Sequence, residues 1–185
     1  MSSSIKVAGF GGQGVMMFGQ VLAYAATYDE INGLWFPSYG PETRGGTANC
    51  SVIISDKQIN SPTFKDANHL VAFNYPSLEK FRKNVTKDGL IIYNSSLIKE
   101  DVEEEGRLCI GVPANDIATD LGNEKVANMA MMGAYLELTN LFSDQTIEAI
   151  IKKFLGERKA HLLEVNMKAI QKGKDYIKDL GVTYA

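Results

Sequence analysis

Cysteine is scarce in this chain. Only Cys50 and Cys109 occur in 185 residues, and they lie far apart in apolar, strand-like segments. An iron–sulfur cluster usually takes four thiolate ligands, so this chain cannot hold one alone. The spacing also matches neither a disulfide framework nor a zinc site. Both cysteines are therefore predicted to be small, buried residues of the core.

An excess of positive charge is also absent. Lysine and arginine number 19 against 22 aspartates and glutamates, which gives a net charge of −3. Nucleic-acid-binding proteins need a basic stripe to displace counterions, so a nucleic-acid partner is disfavoured. No apolar run reaches membrane-spanning length, and no signal peptide precedes Ile5. The chain is therefore predicted to be cytoplasmic and free of membrane contact.

Recognised catalytic patterns are missing as well. The sequence has no nucleophile–base pair, no His-Glu-x-x-His zinc motif and no P-loop lysine. His69 begins an apolar strand and His161 opens the last helix, so neither belongs to a ligand cluster. We therefore predict no catalytic residue and no metal site, and we expect the isolated chain to be inactive.

The chain does contain short apolar segments that alternate with helical patterns. Strands are predicted at 5–10, 34–36, 47–55, 69–74, 90–93 and 107–112. Helices are predicted at 14–27, 77–84 and 162–180, and Asn123 and Ser143 are predicted N-caps of helices ending at Leu141 and Leu155. Asn32-Gly33 is predicted to form a turn. This alternation indicates one α/β domain over residues 1–185 with a mostly parallel sheet.

A glycine-rich segment follows the first predicted strand. Gly9, Gly11 and Gly14 have the spacing of a dinucleotide-binding loop and stand between a strand and a helix. Classic dinucleotide sites add an acidic residue near the end of the second strand, but Asp29 and Glu30 precede that strand here. Binding of NAD is therefore disfavoured.

Two interpretations of this loop remain. Its glycines could serve only strand–helix packing, or the loop could hold a phosphate or another polar cofactor edge against backbone N–H groups. The second interpretation is favoured at Gly11, Gly12, Gln13 and Gly14, since the Gln13 amide can both donate and accept hydrogen bonds.

A second glycine-rich segment covers residues 37–46 and contains two charged residues, Glu42 and Arg44. The planar fork of an arginine binds phosphate or carboxylate, and a glutamate accepts from an amine or hydroxyl. A surface turn with a local Glu–Arg contact is the alternative. The two segments together predict a joint cofactor-binding site, whose residues are Gly11, Gly12, Gln13, Gly14, Glu42, Arg44, Gly45 and Gly46.

Residues 126–136 are apolar nearly all the way round a helix, with Met129, Met131 and Met132 among them. Such a helix is buried in a large core or packed between chains. Core packing is favoured over a subunit contact.

Taken together, these segments resemble the gamma subunits of the 2-oxoacid:ferredoxin (acceptor) oxidoreductases, which act on pyruvate, ketoisovalerate or 2-oxoglutarate. The resemblance spans nearly the whole chain and includes Asn128 and Gly133. The segments that carry it are GFGGQG at 9–14, SYGPETRGG at 38–46, SVIISDKQINSP at 51–62, IGVPAN at 110–115, LGNEKVANMAMMGAY at 121–135 and EVNMKAIQKG at 164–173.

The resemblance implies a three-layer α/β/α fold with a Rossmann-like first βα unit. It also implies a multi-subunit enzyme that oxidatively decarboxylates a 2-oxoacid with coenzyme A, giving acyl-CoA, carbon dioxide and reduced ferredoxin or another acceptor. Thiamine diphosphate and iron–sulfur clusters are then expected on alpha-, beta- and delta-type partner subunits. This domain would contribute to assembly and to contacts near coenzyme A at a shared site.

Other interpretations of the chain are a purely structural assembly subunit with no small-molecule site and a stand-alone nucleotide-binding enzyme. The sequence does not name the 2-oxoacid or the electron acceptor. A separate gamma subunit favours 2-oxoglutarate or a branched-chain 2-oxoacid.

Overall fold

The computed structural model describes residues 1–39 and 46–184. Within these ranges the strands are β1 Ser2–Phe10, β2 Asn32–Tyr39, β3 Thr47–Ser55, β4 Ala67–Ala72, β5 Val85–Asn94 and β6 Leu108–Val112. The α-helices are α1 Val15–Tyr28, α2 Tyr75–Phe81, α3 Ala114–Asp120, α4 Ala127–Thr139, α5 Asp144–Leu155 and α6 Leu163–Leu180. Short 3₁₀ turns cover Arg82–Asn84, Glu124–Val126 and Ala160–Leu162.

The described strands form one sheet in the order β2-β3-β1-β4-β5-β6. Strands β1, β4, β5 and β6 are parallel to one another, whereas β3 is antiparallel to both of its neighbours, β1 and β2. Five of these six strands therefore point in one direction. The prediction of a mostly parallel sheet is confirmed.

Helices cover both faces of the sheet, and each face has its own core. The larger core packs α1, α4, α5 and α6 against residues such as Val7 and Val71. The smaller core lies on the opposite face, where Leu78 of α2 meets Leu70 and Ile91. The alternation of side chains along each strand explains why Leu70 and Val71 belong to different cores. The expected α/β/α layers are confirmed.

Helix α4 is buried within the chain itself, as its apolar sequence predicted. Ten of its residues are buried, and it packs most extensively against α6. At the crossing, a β-carbon on Gly133 would overlap the carbonyl of Ile170, and one on Gly173 would overlap the carbonyl of Ala130. Paired glycines therefore allow the two backbones to touch, and core packing accounts for this helix.

The predicted turn at Asn32-Gly33 is wrong, because both residues lie in β2. The chain reverses just before them, where Glu30 has a positive φ of 61°. Gly33 is required for a different reason: its β-carbon would lie 2.5 Å from the carbonyl oxygen of Ala23 in α1. Close packing against a helix thus produced the same sequence signal as a turn.

Three helix ends also bear on the sequence predictions. Asn123 caps a 3₁₀ turn by accepting from Lys125 N at 3.1 Å, so α4 itself begins only at Ala127. Helix α3 follows Pro113 and was not predicted. Ser143 caps α5 as predicted, by accepting from Thr146 N at 3.1 Å.

None of the described helices combines the length and the apolar character that crossing a bilayer requires.

Candidate functional site

The first glycine loop joins the carboxyl end of β1 to the start of α1. Gly12 and Gly14 have left-handed φ values of 91° and 79°, which favour glycine. Gly11 and Gly12 are exposed, and a β-carbon on Gly12 would meet nothing within 4 Å. No described side chain caps α1, and its first turn contains no acidic residue. The positive end of the helix dipole is therefore open to an anion at this edge of the sheet.

Gln13 links this loop by a hydrogen bond to Asn74, which follows the neighbouring parallel strand β4. Its Oε1 accepts from the backbone N–H of Phe10 at 2.7 Å and from Nδ2 of Asn74 at 3.0 Å. Asn74 follows β4 and caps α2 by accepting from Ser77 N at 3.0 Å. The amide oxygen of Gln13 is thus engaged inside the chain, and its Nε2 group is the part that could donate to a ligand.

Gly46, the last residue of the second glycine segment, contacts the first loop. The N–H of Gly11 donates to the carbonyl oxygen of Gly46 at 3.0 Å, and Gly46 is buried. The structure therefore brings Gly46 together with residues 11–14. Glu42, Arg44 and Gly45 lie outside the described residues, so their part in the joint site stays a prediction.

Asn128 supports the loop from the side of α4. Its Nδ2 donates to the carbonyl oxygen of Gly14 at 3.4 Å, and a β-carbon on Gly14 would overlap the Asn128 side chain. Position 14 must therefore be glycine for two reasons: its positive φ, and the Asn128 side chain, which leaves no room for a β-carbon. Asn128 was noticed in the sequence only through the family resemblance, because its partner lies far away along the chain.

Sequence reasoning missed a polar network at the ends of β5 and β6. Asn94, which is 1% exposed, donates through Nδ2 to Oδ1 of Asn115 at 2.7 Å and accepts from Ser96 N at 3.2 Å. Ser96 Oγ in turn accepts from the N–H groups of Asn115 and Asp116, both at 3.1 Å. The available signal was that Asn94 ends one parallel strand and Asn115 follows the next. Such amide and hydroxyl groups can position a ligand, but they do not transfer protons near neutral pH.

The buried ionisable side chains lie elsewhere and are neutral. His69 Nδ1 lies 2.8 Å from the Tyr135 hydroxyl, and burial lowers the pKa of His69 to about 4. Burial raises the pKa of the Cys50 thiol to about 12, and Cys50 is fully buried as predicted. Cys109 was also predicted to be buried, but it is only half-buried because it lies on β6, the edge strand of the described sheet. Among the described residues, no group of three or more His, Cys, Asp or Glu side chains could hold a metal ion.

An open α/β sheet with a glycine loop at the carboxyl ends of its strands places this chain among the α/β domains, which bind their ligands, where they have one, at that edge. The chain matches the family model for pyruvate ferredoxin/flavodoxin oxidoreductase over residues 4–176, and it belongs to that family.

Two relatives illustrate the range of the family. The chain is 40% identical over 174 residues to ketoisovalerate oxidoreductase subunit VorA of Methanothermobacter marburgensis, covering 93% of this chain and 36% of that protein. It is 35% identical over 184 residues to 2-oxoglutarate synthase subunit KorC of the same organism, covering 96% of this chain and 97% of that protein. The chain thus spans about a third of the VorA relative and nearly the whole of KorC.

Solved structures agree with this assignment. The gamma subunit of a keto/oxoacid ferredoxin oxidoreductase from Geobacter sulfurreducens superposes with a TM-score of 0.81 at 29% identity, over 96% of this chain and 99% of that chain. A 2-oxoglutarate:ferredoxin oxidoreductase from Magnetococcus marinus, solved with 2-oxoglutarate, coenzyme A and succinyl-CoA bound, superposes with a TM-score of 0.89 at 25% identity. That match covers all of this chain and 32% of the other. The α/β/α fold expected from the resemblance is therefore confirmed.

Proposed function

We propose that residues 1–185 form a single gamma-type domain of a cytoplasmic, multi-subunit 2-oxoacid:ferredoxin (acceptor) oxidoreductase. The complex oxidatively decarboxylates a 2-oxoacid and yields acyl-CoA, carbon dioxide and a reduced acceptor. The observation that carries the proposal is the contact between Gly11 and Gly46, which links the two glycine segments at one edge of the sheet; both residues lie within the range that matches the family model. The partners are alpha-, beta- and delta-type subunits, and ferredoxin or another acceptor receives the electrons.

In this proposal the joint edge faces coenzyme A at a site shared with a partner subunit. Two features support an anionic ligand there: the exposed backbone of Gly12, and the start of α1, which no described side chain caps. Coenzyme A is bound in the Magnetococcus relative. Backbone N–H groups and Gln13 Nε2 donate to a phosphate, and Arg44 adds positive charge. None of these residues makes or breaks a bond.

Thiamine diphosphate and the iron–sulfur clusters belong to the partner subunits in this proposal. They supply decarboxylation chemistry and electron transfer, respectively. This chain has two cysteines, fewer than the four thiolates that a cluster usually takes. Its own contribution is to complete the assembly and to orient a ligand at the loop edge.

The substrate we propose is a branched-chain 2-oxoacid or 2-oxoglutarate. The ketoisovalerate and 2-oxoglutarate relatives described above, at 40% and 35% identity, support these two. Assaying the purified complex with pyruvate, 3-methyl-2-oxobutanoate, 2-oxoglutarate and an aryl 2-oxoacid distinguishes them by kcat/KM.

The direct test of the site is Arg44→Ala in the reconstituted complex. We expect a higher apparent KM for coenzyme A, because one charged hydrogen-bonding group to a phosphate is lost. Arg158→Ala is the matched control, since Arg158 is an exposed arginine far along the chain from both loops. If Arg44→Ala leaves KM, turnover and assembly unchanged, the proposed site is wrong.

A purely structural role is the second candidate, and specific contacts favour it. Gly9 and Gly14 are each required by packing inside the chain, and the Gln13 oxygen already has two internal partners. Titrating the assembled complex with coenzyme A in a calorimeter, in the wild type and in Arg44→Ala, separates the two roles. Equal binding in both would support the structural role.

A further inference from the structure

A cavity of about 310 Å³ lies on the face of the sheet that α2 covers. Its lining includes Lys6, Phe64, Lys65, Lys80 and Phe81. Lys6 stands in the middle of β1, and its neighbours Ile5 and Val7 point into the larger core on the other face. None of residues 11–14 lines this cavity.

Lys6 lines the cavity, and its hydrogen-bond partners among the described residues are neutral. Its Nζ donates to Ser51 Oγ at 2.7 Å and to Asn49 Oδ1 at 3.4 Å. The same atom lies 5.4 Å from the ring centroid of Phe64 and 5.3 Å from that of Phe81. Burial lowers the pKa of Lys6 from 10.5, as expected for a partly desolvated cation.

The charged residues that line this cavity are all positive among the described residues. The described lining residues include three lysines, and none of them is an aspartate or a glutamate. Lys80 Nζ also lies 5.3 Å from the Phe81 ring, so two cations approach the same aromatic side chain. Of the three lysines, Lys6 is partly buried, whereas Lys65 and Lys80 are exposed. A partly buried charge is normally paired with an opposite charge. An anionic ligand would supply that charge.

The remaining walls are apolar, because Leu70 and Val85 line the cavity alongside the two phenylalanines. The volume is at the small end of the range for ligand sites. We propose that this cavity binds a small carboxylate with an aliphatic or aromatic body, its carboxylate at Lys6 and Lys80 and its body against Phe64 and Phe81. The proposal does not depend on the function proposed above.

Titration of the ¹⁵N-labelled full chain with benzoate, followed by amide chemical shifts, tests this site. We expect saturable shifts at residues 64–67 and 80–85, with a Kd below about 10 mM. Benzamide, which has the same ring without the charge, should bind at least about tenfold more weakly. Lys6→Met should weaken benzoate binding by a similar factor. The control Lys172→Met removes an exposed lysine of α6 and should change nothing.

The proposal is overturned if benzoate gives no saturable shifts at these residues, or if benzamide binds equally well. Inorganic phosphate provides a further comparison: binding as tight as that of benzoate would contradict the apolar body of the ligand. If Lys6→Met does not fold, the comparison of benzoate with benzamide still decides. Lys80→Gln, at a position on α2 outside the cores, then replaces Lys6→Met and should weaken benzoate binding measurably.

Discussion

The side-chain oxygen of Gln13 lies 2.7 Å from the point where a β-carbon on residue 9 would stand. A β-carbon at position 9 would displace this oxygen, which accepts hydrogen bonds from Phe10 N and Asn74 Nδ2. Position 9 must therefore be glycine. Gly11 is different, because the nearest atom to its β-carbon position would be Gly46 O at 4.0 Å. The glycines of one motif thus have separable roles.

Replacing Gly9 should destabilise the chain, whereas replacing Gly11 should not. A β-carbon at Gly9 also crowds Val15 and Phe73, at 2.8 and 2.9 Å, so Gly9→Ala should lower the free energy of unfolding by about 1–3 kcal/mol. Gly11→Ala should stay within about 0.5 kcal/mol of the wild type. Urea denaturation measures both. Equal losses in the two variants would contradict the roles assigned here.

Substitutions of Gln13 separate loop anchoring from ligand binding. Gln13→Leu leaves Phe10 N and Asn74 Nδ2 without their acceptor, which should cost about 1–3 kcal/mol of stability. Gln13→Glu keeps an acceptor oxygen and should cost less. In the reconstituted complex, however, the added negative charge should raise the apparent KM for coenzyme A. An unchanged KM in a folded Gln13→Glu complex would argue against a phosphate at this loop.

The crossing of α4 and α6 should tolerate no side chain at its two glycines. Gly133→Ala and Gly173→Ala each force a β-carbon into a carbonyl of the facing helix, and each should cost about 1–3 kcal/mol or more. Lys172→Ala is the matched control, because Lys172 adjoins Gly173 but is exposed. Thermal unfolding monitored by circular dichroism provides the comparison. A control as unstable as the glycine variants would contradict close backbone packing as the cause.

His69 should make the stability of the chain fall in mild acid. Its pKa is about 4 in the folded chain against 6.5 when unperturbed, so the unfolded chain binds the proton more tightly. The contribution of neutral His69 to the free energy of unfolding is fully present above pH 6.5. It is lost as the pH falls towards 4, by up to about 3 kcal/mol. His69→Phe should flatten the curve of unfolding free energy between pH 7 and 5. An unchanged slope in a folded His69→Phe variant would contradict a buried, neutral His69 as the cause.

The sequence predicted those parts of the fold that depend on local patterns. Strand 47–55 was placed with its correct ends because apolar residues at 48, 50, 52 and 54 alternate with mostly polar residues. Gly33 misled the turn prediction, because its requirement comes from α1 and not from its own neighbours. The glycine loop was found by its spacing, whereas the anchor between Gln13 and Asn74 joins residues 61 apart. Contacts at such separations leave no periodic signal.

Purification through a tag on this chain from its native source tests most directly whether the chain works as the gamma-type part of a 2-oxoacid oxidoreductase. We expect partner polypeptides with thiamine diphosphate and iron–sulfur clusters to co-purify. That preparation should reduce ferredoxin or a viologen dye only when a 2-oxoacid and coenzyme A are both present. A chain that purifies alone and turns over a substrate by itself, or a complex whose activity does not depend on a 2-oxoacid, would contradict this role.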